Sequence, residues 1–249
     1  MNYLVGDIGN TSIKISILND DFSIKRSYSL DTEKLHQKKN IYNFFKKLLK
    51  KNLYSTVLFS SVVPIVYKKI KSYLNKKKFK VLEIKEINIK KVIKIKIKNF
   101  NQLGSDRIVN AIGSNQIKNS LIIDFGTATT FDVIKNGVYE GGVIAPGINL
   151  SIINLNKSTA LLPMFNLKGV QKSYGKNTEE ALNAGFLWGY EGLVNNIINK
   201  ITLNSKTSYR IILTGGYAKL LKRFIKKKTV IDQDITIKGI AKVFKELIL

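Results

Sequence analysis

Apolar and polar residues alternate along this chain with two different periods, and each period predicts a different kind of secondary-structure element. Short β-branched runs bounded by turn residues predict strands, whereas apolar residues three and four positions apart predict helices that pack on a sheet. A helix of the second kind is expected after Asp31, running to about Asn52. Strands are expected at residues 2–8, 12–18, 22–29, 56–61, 79–84, 90–98, 120–124, 129–135, 138–144 and 210–214, and further helices at 65–74, 105–118, 148–156, 178–200, 217–226 and 237–248.

The segment at residues 90–98 shows the period-two pattern most plainly. Lysine alternates there with apolar residues that include Ile95 and Ile97. We interpret the segment as a half-exposed edge strand, where lysine discourages pairing with another chain.

The strands that open the chain recur near its middle, and the chemistry of their turns recurs with them. The first turn reads Asp7-Ile-Gly9-Asn10-Thr11, and the second reads Asp124-Phe-Gly126-Thr127-Ala-Thr129. A strand-turn-strand unit used twice predicts two α/β domains of similar build. We assign residues 1–118 and 119–249 to them, with the terminal helix able to pack back on the first.

Composition narrows the class of protein. A chain of 249 residues that is 44% hydrophobic can bury a sizeable core. No basic leader opens it and no apolar stretch reaches about 18 residues, so we expect a soluble, cytoplasmic protein without a signal peptide or membrane span. The chain has no cysteine, which excludes disulfides and cysteine-ligated zinc, and His36 is its single histidine.

The formal charge of +25 raises the alternative of a nucleic-acid-binding protein, because lysine and arginine neutralise phosphates. The lysines, however, occur in short groups over both halves, and arginine occurs only at positions 26, 107, 210 and 223. We interpret the charge as a bias of the overall amino-acid composition toward lysine, and we expect no specific nucleic-acid partner.

The first turn has the residue types that a phosphate site needs. Backbone amides around Gly9 and neutral side chains beyond it can point at one phosphate, and Lys14 adds charge. Asp7 stands at the strand end, where it can orient magnesium through water. An ordinary hairpin turn is the alternative, since Asp, Gly and Asn are common in turns. The candidate phosphate residues are Asp7, Ile8, Gly9, Asn10, Thr11, Ser12, Ile13 and Lys14.

The second turn repeats this combination of aspartate, glycine and hydroxyl residues, and further glycine motifs follow it. The hydroxyl of Thr127 suits a second phosphate, and the carboxylate of Asp124 suits a cation. Gly141-Gly142-Val-Ile-Ala-Pro146-Gly147 then precedes a helix, and Leu213-Thr214-Gly215-Gly216 ends a strand and opens a helix, whose amino end favours anions.

Two helix starts carry the remaining candidate chemistry. In Gly104-Ser105-Asp106-Arg107, Ser105 can cap the helix, Asp106 can accept a proton from a hydroxyl, and Arg107 can grip a carboxylate. The alternative is a capped helix with a local Asp–Arg pair. Before Thr178, the spacing of Asn177 and Glu180 predicts a capping box.

Taken together, these motifs resemble type III pantothenate kinases over nearly the whole chain and in the right order. The resemblance implies two tandem ribonuclease-H-like domains with a nucleotide cleft between them. It also implies transfer of the ATP γ-phosphoryl group, with Mg²⁺, to the 4′ hydroxyl of pantothenate, the first step toward coenzyme A. A homodimer is implied as well, and Trp188 and Tyr190 are expected in the core or at the subunit contact.

The resemblance assigns roles to individual residues. Asp106 resembles the proton acceptor, and Asp7 to Lys14, together with Thr127, resemble the ATP contacts. Asp124 matches a residue that binds a monovalent cation, K⁺ or NH₄⁺. The pantothenate contacts implied are Gly104, Ser105, Asp106, Arg107 and Thr178.

The chain departs from the family on the substrate side. Ile97 stands where a tyrosine is common, Asn99-Phe100 replaces a frequent Asn-Pro, and Ser105 replaces an alanine. Two alternatives therefore stay open, namely a non-catalytic regulator on the same fold and a kinase for another small hydroxy compound.

Overall fold

The computed structural model describes residues 1–49, 52–114, 117–170 and 173–249. These residues form two compact units, Met1–Gln116 with Asp234–Leu249 and Ile117–Gln233, called here the first and second units. The strands are β1 (Asn2–Ile8), β2 (Ser12–Leu18), β3 (Ile24–Asp31), β4 (Leu53–Ser61), β5 (Lys80–Glu83), β6 (Lys94–Ile95), β7 (Ser120–Phe125), β8 (Ala128–Lys135), β9 (Val138–Pro146), β10 (Arg210–Gly215) and β11 (Thr229–Ile231). The α-helices are α1 (Lys38–Leu48), α2 (Pro64–Lys76), α3 (Ser105–Gly113), α4 (Ile148–Lys157), α5 (Thr178–Ser205), α6 (Ala218–Leu221) and α7 (Ile235–Leu247).

The first unit is built on a sheet with the strand order β3-β2-β1-β4-β5. The first three strands pair antiparallel as consecutive hairpins, and β4 and β5 add to β1 in parallel. Apolar residues of β1, β2 and β4 share one core with α1 and α2, including Ile15, Phe45 and Ile70. The spacing read in the sequence for α1 is confirmed, since Ile41, Phe45 and Leu48 are its buried residues.

The second unit repeats this arrangement, with the order β11-β10-β7-β8-β9. Strands β7, β8 and β9 form antiparallel hairpins, and β10 and β11 add in parallel to β7. Its core joins Ile123 and Leu213 of the sheet to Ile152 of α4 and Leu187 of α5. The α/β class and the duplicated sheet are therefore confirmed.

Several sequence predictions are corrected by the structure. The strand predicted at residues 90–98 is wrong, because only β6 is extended there and a single 3-10 turn, Ile89–Lys91, precedes it. The alternation of burial is real, since Ile93 is buried and Ile95 and Ile97 are half-buried between exposed lysines, but only two of these residues pair with a neighbouring strand. The short strand β11 was missed.

Three predicted helices have different bounds. The helix after Asp31 is a 3-10 turn, Thr32–His36, followed by α1, and its predicted end falls partly on residues 50 and 51, outside the described residues. Helix α3 ends at Gly113, and residues 115 and 116 of the predicted helix also lie outside them. The helix predicted at 217–226 is the four-residue α6 followed by a 3-10 turn.

Helices α3 and α7 pack with their backbones almost in contact. A Cβ on Gly239 would collide with the carbonyl oxygen of Val109, and a Cβ on Gly113 would collide with that of Ile235. The Thr236 hydroxyl donates to Asn110 Oδ1 at 2.7 Å across the same contact. The two glycines therefore fix how closely the C-terminal helix approaches α3.

No helix among the described residues is long and apolar enough to cross a membrane.

The α3–α7 contact predicts that Gly239→Ala destabilises the protein, although alanine favours helices. We expect a loss of about 1–3 kcal/mol in the free energy of unfolding, because the added methyl overpacks a site with no free space. Gly192→Ala is the matched control, since Gly192 is exposed on α5 with nothing within 4 Å of the added carbon. That control should gain roughly 0.5–1 kcal/mol. Urea unfolding followed by circular dichroism measures both, and equal effects of the same sign would contradict the close contact.

Candidate active site

The turn between β1 and β2 has a fixed backbone and exposed polar side chains. The Gly9 amide donates to the Ser12 carbonyl at 3.0 Å, which closes the turn. Thr32 ties it to the rest of the first unit, because its hydroxyl donates to the Gly9 carbonyl at 2.7 Å and its amide donates to the Thr11 carbonyl at 2.9 Å. The side chains of Asn10, Thr11 and Ser12 are exposed. The turn thus has a backbone fixed by hydrogen bonds and presents three polar side chains at the surface.

The residues that flank this turn differ in what they can offer a ligand. Ile8 and Ile13 are fully buried, so only their backbone groups are available. Asp7 is half-buried at the end of β1 and lies in register with Lys14 of β2. Lys14 Nζ donates to Asp234 Oδ1 at 2.6 Å. Asp234, just before α7, was not among the candidates from the sequence. Its carboxylate pairs with the Lys14 ammonium and so offsets the positive charge predicted for the turn.

Asp106 lies in the first turn of α3, where the backbone makes room for its carboxylate. Its Oδ1 accepts the Arg107 amide at 2.8 Å. A Cβ on Gly104, the residue before the helix, would collide with that same oxygen. The prediction that Ser105 caps α3 is wrong, because Gly104 holds the capping position and Ser105 is a buried helical residue.

Burial controls the charge state of Asp106. It raises the pKa of the carboxyl above its ordinary value, against the lowering effect of the Arg107 amide, the Arg107 guanidinium and the Lys85 ammonium. A raised pKa makes a carboxylate a stronger proton acceptor at neutral pH. The environment therefore suits a general base.

Glu83 and Lys85 surround the start of α3 and were not found from the sequence. Glu83 accepts the Ser61 amide at 3.3 Å and the Lys85 amide at 2.7 Å. Burial raises the pKa of Glu83, whereas the nearby Ser105 hydroxyl lowers it. The Ser105 Oγ nevertheless makes no hydrogen bond of normal geometry among the described residues. Lys85 Nζ donates to the Asn101 carbonyl at 3.0 Å, next to the segment that departs from the family pattern.

The two substitutions in that segment lie in or near a single 3-10 turn, Phe100–Gln102. Asn99 Oδ1 accepts the Asn101 amide at 3.0 Å and so caps the turn, with Phe100 as its first residue. Ile97 is half-buried before it. A proline at position 100 is therefore not required for the turn to form.

The turn between β7 and β8 places Asp124 against a glycine backbone in the second unit. Gly215 has a φ of 84°, in the left-handed region, and a Cβ on it would lie 2.6 Å from Asp124 Oδ1. The Gly216 amide donates to the Phe125 carbonyl at 3.1 Å, which fixes this approach. Thr127 is exposed in the turn. A residue with a side chain at 215 would fill the space beside the carboxylate.

The donor set around each aspartate fits a weakly held cation. Among the described residues, no group of three or more His, Cys, Asp or Glu side chains could hold a metal. One carboxylate at a glycine turn instead suits a hard cation that completes its shell with phosphate, carbonyl and water oxygens. Asp7 and Asp124 both meet that description.

Thr178 begins α5 beside an apolar groove of about 600 Å³. Half of the predicted capping box forms, because Asn177 Oδ1 accepts the Glu180 amide at 2.9 Å, whereas the Glu180 carboxylate accepts the Lys176 amide at 2.9 Å instead of the Asn177 amide. The groove runs along α4 and α5. It is lined by Pro146, Ser151, Leu155, Leu162, Thr178, Ala181, Leu182, Gly185, Phe186, Gly189, Tyr190 and Leu193.

The two aromatic residues singled out on α5 differ in exposure. Tyr190 is buried, its hydroxyl lies 2.9 Å from Ser151 Oγ, and it donates to the Pro146 carbonyl at 3.2 Å. Trp188 is 45% exposed. Tyr190 thus joins α5 to the start of α4, whereas much of Trp188 lies open.

Comparison with known proteins extends over the whole chain. A sequence model described as type III pantothenate kinase matches residues 3–200. Proteins named type III pantothenate kinase from Pelagibacter ubique and from a Sulfurihydrogenibium species are 44% and 36% identical to it. The first alignment covers 95% of this chain and 96% of the relative, and the second covers 95% and 97%.

Solved structures resemble the fold at lower identity. A Baf-family protein of Campylobacter jejuni superposes with a TM-score of 0.65 at 20% identity, covering 98% of both chains. The activator of 2-hydroxyisocaproyl-CoA dehydratase from Clostridium difficile superposes with a TM-score of 0.64 at 13% identity, covering 99% of this chain and 95% of that one. These likenesses agree with a fold of two ribonuclease-H-like domains.

The raised pKa of Asp106 predicts that Asp106→Asn stabilises the protein at pH 7. In the wild type the ionised carboxylate is disfavoured by burial, and the neutral amide removes that penalty. The gain should fade as the pH falls through the raised pKa of the folded state toward 3.8, the ordinary value, and should be absent below it, where Asp106 is protonated both folded and unfolded. Urea unfolding of both proteins across this pH range measures it.

Asp21→Asn provides a control of opposite sign. The Ser23 hydroxyl and the Ser23 amide hold the pKa of Asp21 below its ordinary value, so its ionised form favours folding. Removing that charge should slightly lower stability at neutral pH and have no effect at acidic pH. A loss of stability for Asp106→Asn at pH 7 would contradict the burial argument.

Proposed function

The chain belongs to the type III pantothenate kinase family, and from this premise we infer that it phosphorylates the 4′ hydroxyl of pantothenate with ATP. The protein is a pantothenate kinase, acting in coenzyme A biosynthesis. The observation that carries the mechanism is the half-buried Asp106 carboxylate, whose pKa is raised by desolvation at the start of α3. Because the reaction consumes ATP, we place the enzyme in the cytoplasm.

Asp106 acts as the proton acceptor in this proposal. The pantothenate hydroxyl oxygen forms a bond to the γ-phosphorus, the bond from that phosphorus to the bridging oxygen of ADP breaks, and the hydroxyl proton moves to the Asp106 carboxylate. Phosphoryl transfer depends mainly on positioning and on charge stabilisation. The hydrogen bond from the Arg107 amide fixes one carboxylate oxygen for this step.

The remaining pantothenate contacts are assigned to the same helix start and to α5. Arg107 binds the pantothenate carboxylate through its planar guanidinium. Gly104 and Ser105 contribute the backbone of this loop, which is consistent with a Ser105 side chain that is buried. Thr178, exposed at the start of α5, supplies a separate polar contact.

The ATP phosphates are assigned to the two aspartate-glycine turns. In the first turn, from Asp7 to Lys14, the amides and the exposed side chains of Asn10, Thr11 and Ser12 donate to phosphate oxygens. Thr127 makes a second, separate phosphate contact. Asp7 would hold Mg²⁺ through water and Asp124 would hold K⁺ or NH₄⁺, and when bound these cations neutralise phosphate charge.

Asp106→Asn should lower the rate of pantothenate phosphorylation by about 10²–10⁴-fold, because the asparagine amide does not accept the proton. A coupled assay of ADP release, with pantothenate and with and without K⁺, measures this rate. Asp21→Asn, on the exposed turn before β3, is the control and should keep full activity.

Each remaining outcome of that assay has a definite meaning. Full activity of Asp106→Asn would remove Asp106 as the base. Wild-type activity only with another hydroxy compound would favour the alternative kinase, and nucleotide binding without any turnover would favour a regulator. In a separate binding experiment, retention of RNA at low salt would support the nucleic-acid alternative, which rests on charge alone.

We further propose that two copies of the chain associate through the apolar groove of α4 and α5. Gly185 and Gly189 line the groove, and no atom lies within 4 Å of a Cβ added to either. Leu150, Ile153 and Trp188 are also exposed on these helices. A second copy would cover this apolar surface, which a lone chain leaves in water.

Gly185→Glu should convert the dimer to a monomer without unfolding the chain. The glutamate meets no atom of its own chain but places a charge inside the apolar groove. Gly192→Glu, an exposed glycine of α5 that does not line the groove, should leave the dimer intact. Light scattering measures the mass against 28.1 kDa for one chain. A wild-type monomer, or a Gly185→Glu dimer, would contradict this interface.

A further inference from the structure

Each of the two turn aspartates has a hydroxyl residue directly beside it on the neighbouring parallel strand. In the first unit, Asp7 of β1 lies in register with Ser60 of β4. In the second unit, Asp124 of β7 lies in register with Thr214 of β10. Paired residues on adjacent strands share a face of the sheet and stand about 4.8 Å apart. The duplicated fold therefore brings a hydroxyl next to each carboxylate.

The burial of neighbouring residues shows which face these pairs occupy. Ile8 and Phe59, the residues next to Asp7 and Ser60, belong to the core that the first unit shares with α1 and α2. Since side chains alternate along a strand, Asp7 and Ser60 point away from that core.

The second unit follows the same rule. Ile123 and Leu213, which adjoin Asp124 and Thr214, belong to the core formed with α4 and α5. Asp124 and Thr214 therefore point away from it. The two hydroxyl–carboxylate pairs occupy equivalent positions in the two repeats.

Burial makes these hydroxyls costly unless they have a partner. Ser60 is fully buried, and its Oγ has no hydrogen-bond partner among the described residues, while Thr214 is 4% exposed. An unsatisfied buried hydroxyl destabilises the fold, because it gives up its hydrogen bonds to water without replacing them. A hydroxyl can donate to a carboxylate and still offer its lone pairs to a cation or to bound water.

We propose that Ser60 and Thr214 are positioning residues that orient the carboxylates of Asp7 and Asp124 toward their cations. The assignment rests on the proposed function, with Mg²⁺ at Asp7 and a monovalent cation at Asp124. The antiparallel neighbours make the two sites chemically different, since Lys14 lies opposite Asp7 and Thr130 lies opposite Asp124. Loss of one hydroxyl should therefore affect one cation and not the other.

Ser60→Ala and Thr214→Val test this with a crossed pattern. Ser60→Ala should raise the Mg²⁺ concentration for half-maximal activity by about 10–100-fold and leave the K⁺ dependence unchanged. Thr214→Val, which has nearly the same shape as threonine, should do the reverse. In both variants kcat at saturating cation should stay close to wild type. Thr214→Ser, which keeps the hydroxyl, should restore the K⁺ dependence.

A second readout does not depend on turnover. K⁺ alone should raise the Tm of the wild type and of Thr214→Ser but not that of Thr214→Val. Mg²⁺ added with a non-hydrolysable ATP analogue should raise the Tm of Ser60→Ala only at higher Mg²⁺ concentrations. Thr56→Val is the control, because Thr56 is a buried hydroxyl residue of β4 away from the aspartate.

The possible outcomes separate this inference from the proposed function. If pantothenate is not phosphorylated but the Tm shifts follow the crossed pattern, the function fails and the positioning role stands. The inference is overturned if both variants keep both wild-type cation dependences, or if each variant changes both dependences equally. It is also overturned if cations leave the wild-type Tm unchanged.

Discussion

The close contact between α3 and α7 is the constraint on which the first unit depends. Two glycines bring the helix backbones together, and the position of α3 decides where Asp106 stands. The same C-terminal helix follows directly on Asp234, whose carboxylate accepts a hydrogen bond from Lys14 of the β1–β2 turn. Helix α7 and the residue before it thus contact both the C-terminal half of α3 and Lys14. The geometry of the candidate base is therefore a tertiary property, set by residues far from it in sequence.

Two half-buried carboxylates near the start of α3 are partly desolvated at a cost to stability. Burial raises the pKa of both Asp106 and Glu83, so neither contributes its ionised form to folding without cost. Lys85 and Arg107 limit that cost by supplying nearby positive charge and amide donors. Such an arrangement is typical of sites where a proton acceptor is tuned by desolvation and a specific cation. Glu83 holds two backbone amides, which explains its place in the structure without a direct role in the reaction.

The sequence predicted the duplicated strand-turn-strand units and the helix starts, because turn residues and apolar spacing are local signals. It overestimated the strand at residues 90–98, where burial alternates from Ile93 onward as the pattern predicts but only Lys94–Ile95 pair with a neighbouring strand. It assigned the cap of α3 to Ser105, because a hydroxyl residue before a helix is the usual signal, while the tight fit of the Asp106 carboxylate requires Gly104 at that position. No local sequence pattern pointed to Ser60 or Asp234. Their relation to Asp7 and Lys14 exists only after parallel pairing and helix packing bring distant segments together.

The two units share one arrangement of strands but carry different residues at equivalent positions. In the first unit the residue after Ser60 is Ser61, whose amide donates to Glu83 at the end of β5. In the second unit the residue after Thr214 is Gly215, whose left-handed backbone lets the Asp124 carboxylate lie against it. One strand end is therefore hydrogen-bonded to the end of β5, whereas the other lets a carboxylate lie against a glycine backbone.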